Sequence, residues 1–313
     1  MAKGYDFYAY FLSVFYCEQG LFMKRITIKK LQEYNHILSQ KEKDMLHSIK
    51  KCHFLKTDQA ARLHFGGAPN PAAALRAVTR SLAKLQGMGL VQPLKRRISG
   101  VRAGSTSYVW TLKMAGMELL RLGMENQPNK PRTRKQIYEP TFIFLKHTLA
   151  ISELYTYLKT RTNLISAEFE PVCWRCYATL FGANVTIKPD LYAITTADGY
   201  EDHWFFEVDL DTEAPCRIMR KCESYGRYYL TGQEQKRTGI FPRVAWIVPD
   251  YKRKSSLERH IAEKLSEYAD LFVVATSEEL PELIQTGAFP THRVKPSENK
   301  MVDNSLIRGI HHD

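Results

Sequence analysis

The sequence predicts an α+β protein made of two unlike parts, and three observations carry that expectation. Basic residues crowd the front: residues 1–140 hold 24 Lys+Arg against 9 Asp+Glu, whereas residues 141–313 hold 21 against 24. A polar stretch, 123–140, carries Pro128, Pro131 and Pro140 among Lys130, Arg132, Arg134 and Lys135. Proline blocks helix continuation, so this stretch is expected to be a linker. Across it the patterning changes from helical spacing to strands alternating with helices. The expected layout is an N-terminal extension (1–39), a first domain (40–122), the linker (123–140), a second domain (141–290) and a tail (291–313).

Within the first domain, residues 40–51 have a helical pattern. Thr57 can cap a short helix running to residue 65. Asn70-Pro71 is a start signal, a capping side chain followed by proline at the first helical position. That third helix is expected to run to residue 86, with Gly87 as its left-handed terminal glycine. Strands at 90–94 and 106–112 then flank a loop, 95–105, and complete a hairpin.

The third helix separates two kinds of residue. Leu75, Val78, Leu82 and Leu85 form one apolar stripe. Arg76, Arg80 and Lys84 recur every four residues and centre on the opposite side, at about 100° per residue. Helix order, a cationic third helix and a hairpin with a basic tip (Lys95, Arg96, Arg97, Arg102) are similar to a winged helix-turn-helix. In that fold the helix enters the DNA major groove and the wing lies on the backbone. On its own, the basic face would also suit a solvated helix surface.

The second domain reads as αβββαβαβ. A long helix covers 141–160. Strands follow at 166–172, at 185–195 (interrupted by Pro189-Asp190) and at 203–210. Pro215 opens a helix to residue 230. A buried strand at 243–248, a helix at 255–268 and a strand at 271–275 complete the order.

The chemistry concentrates on the strand from His203 to Asp211. Alternation places Trp204, Phe206, Val208 and Leu210 on one face and Glu207, Asp209 and Asp211 on the other. Carboxylates sharing a face repel one another unless solvated, paired or bound to a cation. Magnesium or manganese favours such oxygen donors, and a solvated acidic edge is the plainer alternative. An EF-hand is excluded, because the loop glycine is missing and an aromatic strand is the wrong setting. A short hairpin separates this strand from Pro189-Asp190, so Asp190 is expected beside Glu207. Lys221, on the following helix, can supply a cation to stabilise phosphate charge.

Lys188-Pro189-Asp190 followed by Phe206-Glu207-Val208-Asp209, inside an αβββαβ unit, resembles the PD-(D/E)XK nuclease core. That pattern expects lysine two residues after the glutamate, where this chain has Asp209. Either Lys221 supplies the cation from the helix or the site is inactive. The wider arrangement resembles the replication-relaxation family of plasmids and mobile elements. Pro189-Asp190, Glu207-Val208-Asp209, Thr212-Glu213, and Lys221 with Tyr225 match its motifs in order, over residues 40–285. The resemblance implies plasmid mobilisation or replication initiation, with DNA nicking proposed. It names Asp190, Glu207, Asp209, Lys221 and Tyr225 as the catalytic set, with Asp190, Glu207 and Asp209 as ligands of Mg²⁺ or Mn²⁺. In the alternative, the protein is a non-catalytic replication or transcription regulator.

Other residues carry weaker signals. Tyr225 shares the helix face of Lys221, but packing or phosphate contact is the simpler role for Tyr225, Tyr228 and Tyr229. A relaxase of the histidine-hydrophobe-histidine class is not indicated, since His311 and His312 are adjacent. Cys173 and Cys176 form a C-x-x-C motif. It falls between two strands rather than at a strand-to-helix turn, and pairs poorly with Cys216 and Cys222 for zinc. His147 is expected to be packed or at the site rim, and Glu153 to be a possible metal contact from the same helix.

Composition bounds the rest. The chain is 44% hydrophobic and 25% charged, a folded and not a disordered balance. No apolar run approaches the roughly 20 residues of a membrane helix. The net charge of +12 points to an anionic partner. Six cysteines in 313 residues are too sparse for a disulfide scaffold. The aromatic stretch 5–22 lacks the pattern of a cleaved leader. The expectations are a cytoplasmic protein with free thiols, double-stranded DNA as partner, and a homodimer as a further association.

Overall fold

The computed structural model describes residues 26–94, 98–99, 106–122, 140–179 and 182–287. Lys95, Arg96, Arg97 and Arg102, Cys17, residues 1–22 and almost all of 123–140 lie outside the described residues.

The front of the chain runs α1 (Ile28–Ile37), α2 (Gln40–Cys52), β1 (Leu55–Lys56), α3 (Thr57–Phe65), α4 (Pro71–Gly87), β2 (Val91–Pro93), β3 (Ile98–Ser99), β4 (Thr106–Ser107), β5 (Val109–Leu112) and α5 (Met114–Leu122). Helix α1 falls where a helical pattern follows Lys24-Arg25, and helix α5 was not anticipated. Ser39 and Glu42 form a capping box at α2. Asn70 accepts from the Ala73 N–H at 2.8 Å, with Pro71 behind it, as its sequence implied.

Two local expectations for α4 are corrected. Its buried row is Ala74, Val78, Leu82 and Leu85, while Leu75 is 45% exposed. A row with steps of four, four and three places Ala74, not Leu75, on the core side. The left-handed glycine is Gly89, at φ 71°, and Gly87 is still helical. The Leu90 N–H reaches the Leu85 carbonyl at 3.0 Å and the Gly89 N–H reaches Gln86 at 2.9 Å. These are the paired bonds of a Schellman end, with Leu85 and Leu90 both buried. Strands β1, β5 and β2 then form an antiparallel sheet in that order.

The second part comprises α6 (Phe142–Arg161), β6 (Asn163–Phe169), β7 (Arg175–Ala178), β8 (Asn184–Ile187), β9 (Leu191–Ala197), β10 (Tyr200–Val208), α7 (Pro215–Leu230), α8 (Gln233–Thr238), β11 (Arg243–Val248), α9 (Tyr251–Lys264), a 3₁₀ turn, β12 (Phe272–Thr276) and α10 (Leu280–Thr286). Five strands make a mixed sheet in the order β12-β11-β10-β9-β6. β10, β11 and β12 run parallel, while β9 is antiparallel to β10 and to β6.

Here too the sequence reading shifts. The span 185–195 is two strands: β8 pairs with β7 in a separate hairpin, and β9 joins the main sheet. Pro189 has no N–H to continue a ladder, and the chain changes sheets there. The first strand ends at Phe169, ahead of Pro171, and not at residue 172. Helices α8 and α10 were not foreseen.

Helices cover both faces of the sheet. Trp204, Phe206 and Val208 of β10 face a core that includes Ile151, Leu154 and Leu158 of α6 and Leu280 and Ile284 of α10. Phe205 faces the other way, toward Ile218, Met219, Cys222 and Tyr225 of α7 and Leu257 and Ile261 of α9. This is the alternation that the sequence displays.

Helix α6 also belongs to the front of the molecule. Leu145 and Leu149 pack with Phe54, Leu94 and Val109. The Ser152 hydroxyl donates to the Phe54 carbonyl at 3.0 Å. Gln59 Nε2 donates to the Leu149 carbonyl at 3.2 Å and to Glu153 at 3.0 Å. Thr148, Ser152, Thr156 and Thr160 each donate a hydroxyl to the carbonyl four residues back. These polar residues therefore enter a packed environment already satisfied.

Candidate functional site

Strand β10 and the entry to β9 build the centre of the site. The Asp190 N–H donates to the Phe206 carbonyl at 3.1 Å, extending the β9–β10 ladder by one residue. The Asp190 carboxylate in turn accepts the Val208 N–H at 2.7 Å. Asp190 thus sits beside Glu207, the penultimate residue of β10, as its sequence position suggested. Both are buried.

Helix α7 supplies the other half. Residues 221 and 225 are one turn apart, and both reach Glu207. Lys221 Nζ stands 2.5 Å from Oε2, and the Tyr225 hydroxyl donates to Oε1 at 2.5 Å. Tyr225 is fully buried, whereas 31% of the Lys221 side chain is exposed. Burial and the neighbouring carboxylates push the Tyr225 hydroxyl well above its usual range, so it is a proton-bearing donor. Burial opposes the charge on Lys221, but Glu207 and Asp190 outweigh it and hold the ammonium charged. Burial raises Glu207, with Asp190 adding to the effect, and Lys221 and Tyr225 offset this only in part, so its pKa rises to about 8.

His147 closes the site from α6. Its Nε2–H donates to the Val208 carbonyl at 3.0 Å and lies 3.3 Å from Asp190 Oδ2. Burial disfavours the imidazolium, but Asp190 and the carbonyl prevail and raise its pKa to about 9. Burial likewise works against ionised Asp190, and Lys221, His147 and the Val208 N–H overcome it, so its pKa falls. Two buried acids are therefore each matched by a cation.

Glu170 escaped the sequence reading. It follows Phe169, which pairs with Leu191, and so lies next to Asp190 across the β6–β9 ladder. Burial and the Asp190 charge raise its carboxyl, against Lys221, His147 and Lys188. The available signal was its place at the end of an alternating strand, one residue before a proline.

Asp209 goes elsewhere. The strand ends at Val208, and the Asp209 carboxylate takes the Arg253 Nε at 2.6 Å, with Asp211 on the same guanidinium at 3.0 Å. Glu153 is not at the site either. It accepts from both terminal nitrogens of Arg62, at 2.7 and 2.6 Å. Cys173 is buried and Cys176 exposed, so the C-x-x-C pair points two ways. Burial pushes the Cys173 thiol to about 12.

Asp190 and Glu207 offer the hard oxygen donors that magnesium or manganese takes. As folded, Glu207 is served on both oxygens by Lys221 and Tyr225. Among the described residues, no group of three or more His, Cys, Asp or Glu is placed to hold a metal ion. The donor type fits a divalent cation, and the cation that Glu207 binds in this arrangement is Lys221.

The order of these residues along the chain has a counterpart in a known family. The family model described as replication-relaxation matches residues 46–244. The chain belongs to the replication-relaxation family. The match runs from α2 into β11 and takes in every residue of the site described above except Arg253. Among curated proteins and solved structures, no match is found. Membership suggests a role for this replication-relaxation protein in replication or mobilisation. No described helix is long and apolar enough to cross a membrane.

The basic face of α4 in this replication-relaxation protein is on the surface. Arg76 and Arg80 are exposed and, with Ala73, Leu75 and Thr79, line an open depression. Lys84 is also exposed, but its ammonium is 2.8 Å from Glu42 of the α2 capping box. The α4 row is therefore two open arginines and one lysine tied to its own fold.

Proposed function

We propose that the chain is a DNA-binding protein of plasmid or mobile-element replication or mobilisation. In this reading residues 40–122 form a winged helix that recruits double-stranded DNA, and residues 141–290 form a PD-(D/E)XK-like unit that nicks or cuts it. The supporting observation is the meeting of Asp190, Glu207 and Lys221 at the ends of two adjacent strands and one helix. Mg²⁺ or Mn²⁺ held by Asp190 and Glu207 would supply charge neutralisation at a phosphate. Lys221 would stabilise charge developing on the phosphate oxygens, in place of the lysine that Asp209 displaces. Tyr225 holds Glu207 in position, and His147 does the same for Asp190. Arg76 and Arg80 would contact the major groove, with Lys84, Lys95, Arg96, Arg97 and Arg102 adding backbone contacts. The cytoplasm is the compartment this activity requires, and a homodimer is compatible with it.

A specific observation favours a second reading, a regulator without chemistry. Both Glu207 oxygens are taken by protein donors, and Asp209 is bound by Arg253. The deciding assay incubates supercoiled plasmid carrying the cognate origin with the protein, with and without Mg²⁺ or Mn²⁺. The nickase reading expects relaxed or linear product that disappears in Asp190→Ala, Glu207→Ala and Lys221→Ala. Tight binding without metal-dependent cleavage would overturn it and leave the regulator. Loss of binding in Arg76→Ala/Arg80→Ala supports the recruiting role of α4, and unchanged affinity overturns that role.

A further inference from the structure

Helix α7 turns Ile218, Met219, Cys222, Tyr225 and Tyr228 into the core. Lys221 stands at the edge of that face, with its ammonium on Glu207 and about a third of its side chain open to water. The site therefore reaches solvent beside Lys221. Arg217 lies one turn nearer the start of the helix on the same side as Lys221. Arg220, three residues on from Arg217, neighbours Arg217 but projects about 100° away from Lys221 onto the solvent side. Both arginines are exposed.

Neither arginine is committed to an acid. Several arginines of this half are bound to acids. Arg175 and Arg237 hold Glu234, Arg253 holds Asp209 and Asp211, and Arg227 faces Glu223. Among the described residues, no acid lies within ion-pair distance of Arg217 or Arg220. The acid on α7 itself, Glu223, is the partner of Arg227. Glu213, just before the helix, adds to the field that keeps Lys221 charged. Two guanidinium groups without an acid partner thus extend a cationic strip from Lys221 through Arg217 to Arg220 along the exposed side of α7. A guanidinium presents a planar fork of donors that matches two phosphate oxygens.

We propose that Arg217 and Arg220 hold phosphates of a DNA strand along the exposed side of α7, beside the Lys221 edge of the Glu207–Lys221–Tyr225 cluster. This contact is separate from that of α4. It rests on the reading of the protein as one that acts on DNA, and it names the surface that would bring a strand to the buried acids. It also accounts for how a half with a slight acidic excess, 21 Lys+Arg against 24 Asp+Glu, could accept a polyanion. The cations are placed along the exposed side of α7, while many of the acids are paired.

The test measures binding of a fluorescein-labelled DNA duplex to the full chain by anisotropy over a range of salt. Each phosphate contact contributes about 0.9 to the log–log salt slope. Arg217→Gln/Arg220→Gln is expected to bind more weakly, with a slope shallower by about 2. Arg217→Lys/Arg220→Lys keeps the charge and should retain the wild-type slope. Arg259→Gln, an exposed arginine on α9, should leave the slope unchanged. A wild-type slope in the double glutamine variant overturns the proposal and leaves DNA binding intact. An equal loss in Arg259→Gln also overturns it, as a general charge effect. A wild-type protein that binds no DNA at any salt removes the DNA-acting reading itself, and this surface with it.

Discussion

The ammonium of Lys221 and the carboxylate of Glu207 meet at 2.5 Å, the acid 1% exposed and the base at the protein's edge. Removing Lys221 leaves Glu207 buried without its cation, and a carboxyl already pushed up by burial and Asp190 then takes up a proton. Lys221→Met should therefore cost about 1–3 kcal/mol in urea unfolding, the penalty of leaving a buried acid without its donor. Adding Glu207→Gln removes the unpartnered acid and should restore part of that loss. A double variant no more stable than Lys221→Met would show that the acid does not depend on the lysine.

His147 gives a pH signature. Its pKa is raised from 6.5 to about 9 in the folded state, chiefly by Asp190 acting against burial. Its contribution to stability is then fully present below pH 6.5 and lost as pH rises through about 9. The groups facing it are Asp190, the Val208 carbonyl and, opposing, Lys221. The melting-temperature gap between wild type and His147→Gln should be widest near pH 6 and close above pH 9. A constant gap over that range would mean that the imidazole is neutral in the fold.

Two glycines should respond oppositely to alanine. At Gly116 of α5 an added Cβ would run into the backbone carbonyl oxygen of Leu90, which cannot move aside as a side chain would. Gly116→Ala is expected to destabilise by about 1–3 kcal/mol, although alanine is the better helix former. At Gly87, inside α4, nothing lies within 4 Å of that position. Gly87→Ala should stabilise by about 0.5–1 kcal/mol. Thermal or urea melts of the two variants check both signs.

The contacts of α3 with α6 are unequal. The Arg62–Glu153 pair has good geometry, but its side chains are 42% and 49% exposed. Arg62→Ala should cost no more than about 1 kcal/mol. Gln59 is fully buried and bonds both the Leu149 carbonyl and Glu153. Gln59→Ala strands those partners and should cost about 1–3 kcal/mol. Urea denaturation that ranked the two the other way would contradict the burial argument.

Much of the local structure was legible because it obeys local rules. Asn70-Pro71 and Pro215 mark helix starts by their own chemistry. Thr57, in contrast, is not the cap its sequence suggested. Lys56 holds the cap position, and the Thr57 hydroxyl pairs with the Tyr108 carbonyl and the Trp110 indole. The strand Arg243–Val248 is an apolar run, and the alternation along β10 assigns its two faces. The neighbourhood of Asp190, Glu207 and Lys221 also followed from short connections. Partner choice over long separations did not. Asp209 finds Arg253 across 44 residues and Glu153 finds Arg62 across 91. No spacing rule distinguishes those acids from metal ligands. The place of Glu170 beside Asp190 and the Asp190 contact of His147 depend on strand register and helix docking, and only Glu170 carries a local signal, its position at a strand end before Pro171. Gly87 and Gly89 are two residues apart, and only the hydrogen bonds that end α4 decide between them.

Helix α6 lends Leu145 and Leu149 to the packing around Phe54 and Val109, and Leu154 and Leu158 to the packing under the sheet. A lineage carrying this protein is therefore constrained in what it can exchange. A foreign front unit joined at residue 140 would inherit a helix whose apolar and acidic positions were shaped for its predecessor. Leu145, Leu149 and Glu153 would meet surfaces that had never been selected against them. On the proposed reading of α4 as the DNA-contacting helix, new specificity is then expected to arise by change on its exposed side, where Arg76 and Arg80 stand, and not by shuffling of whole cassettes.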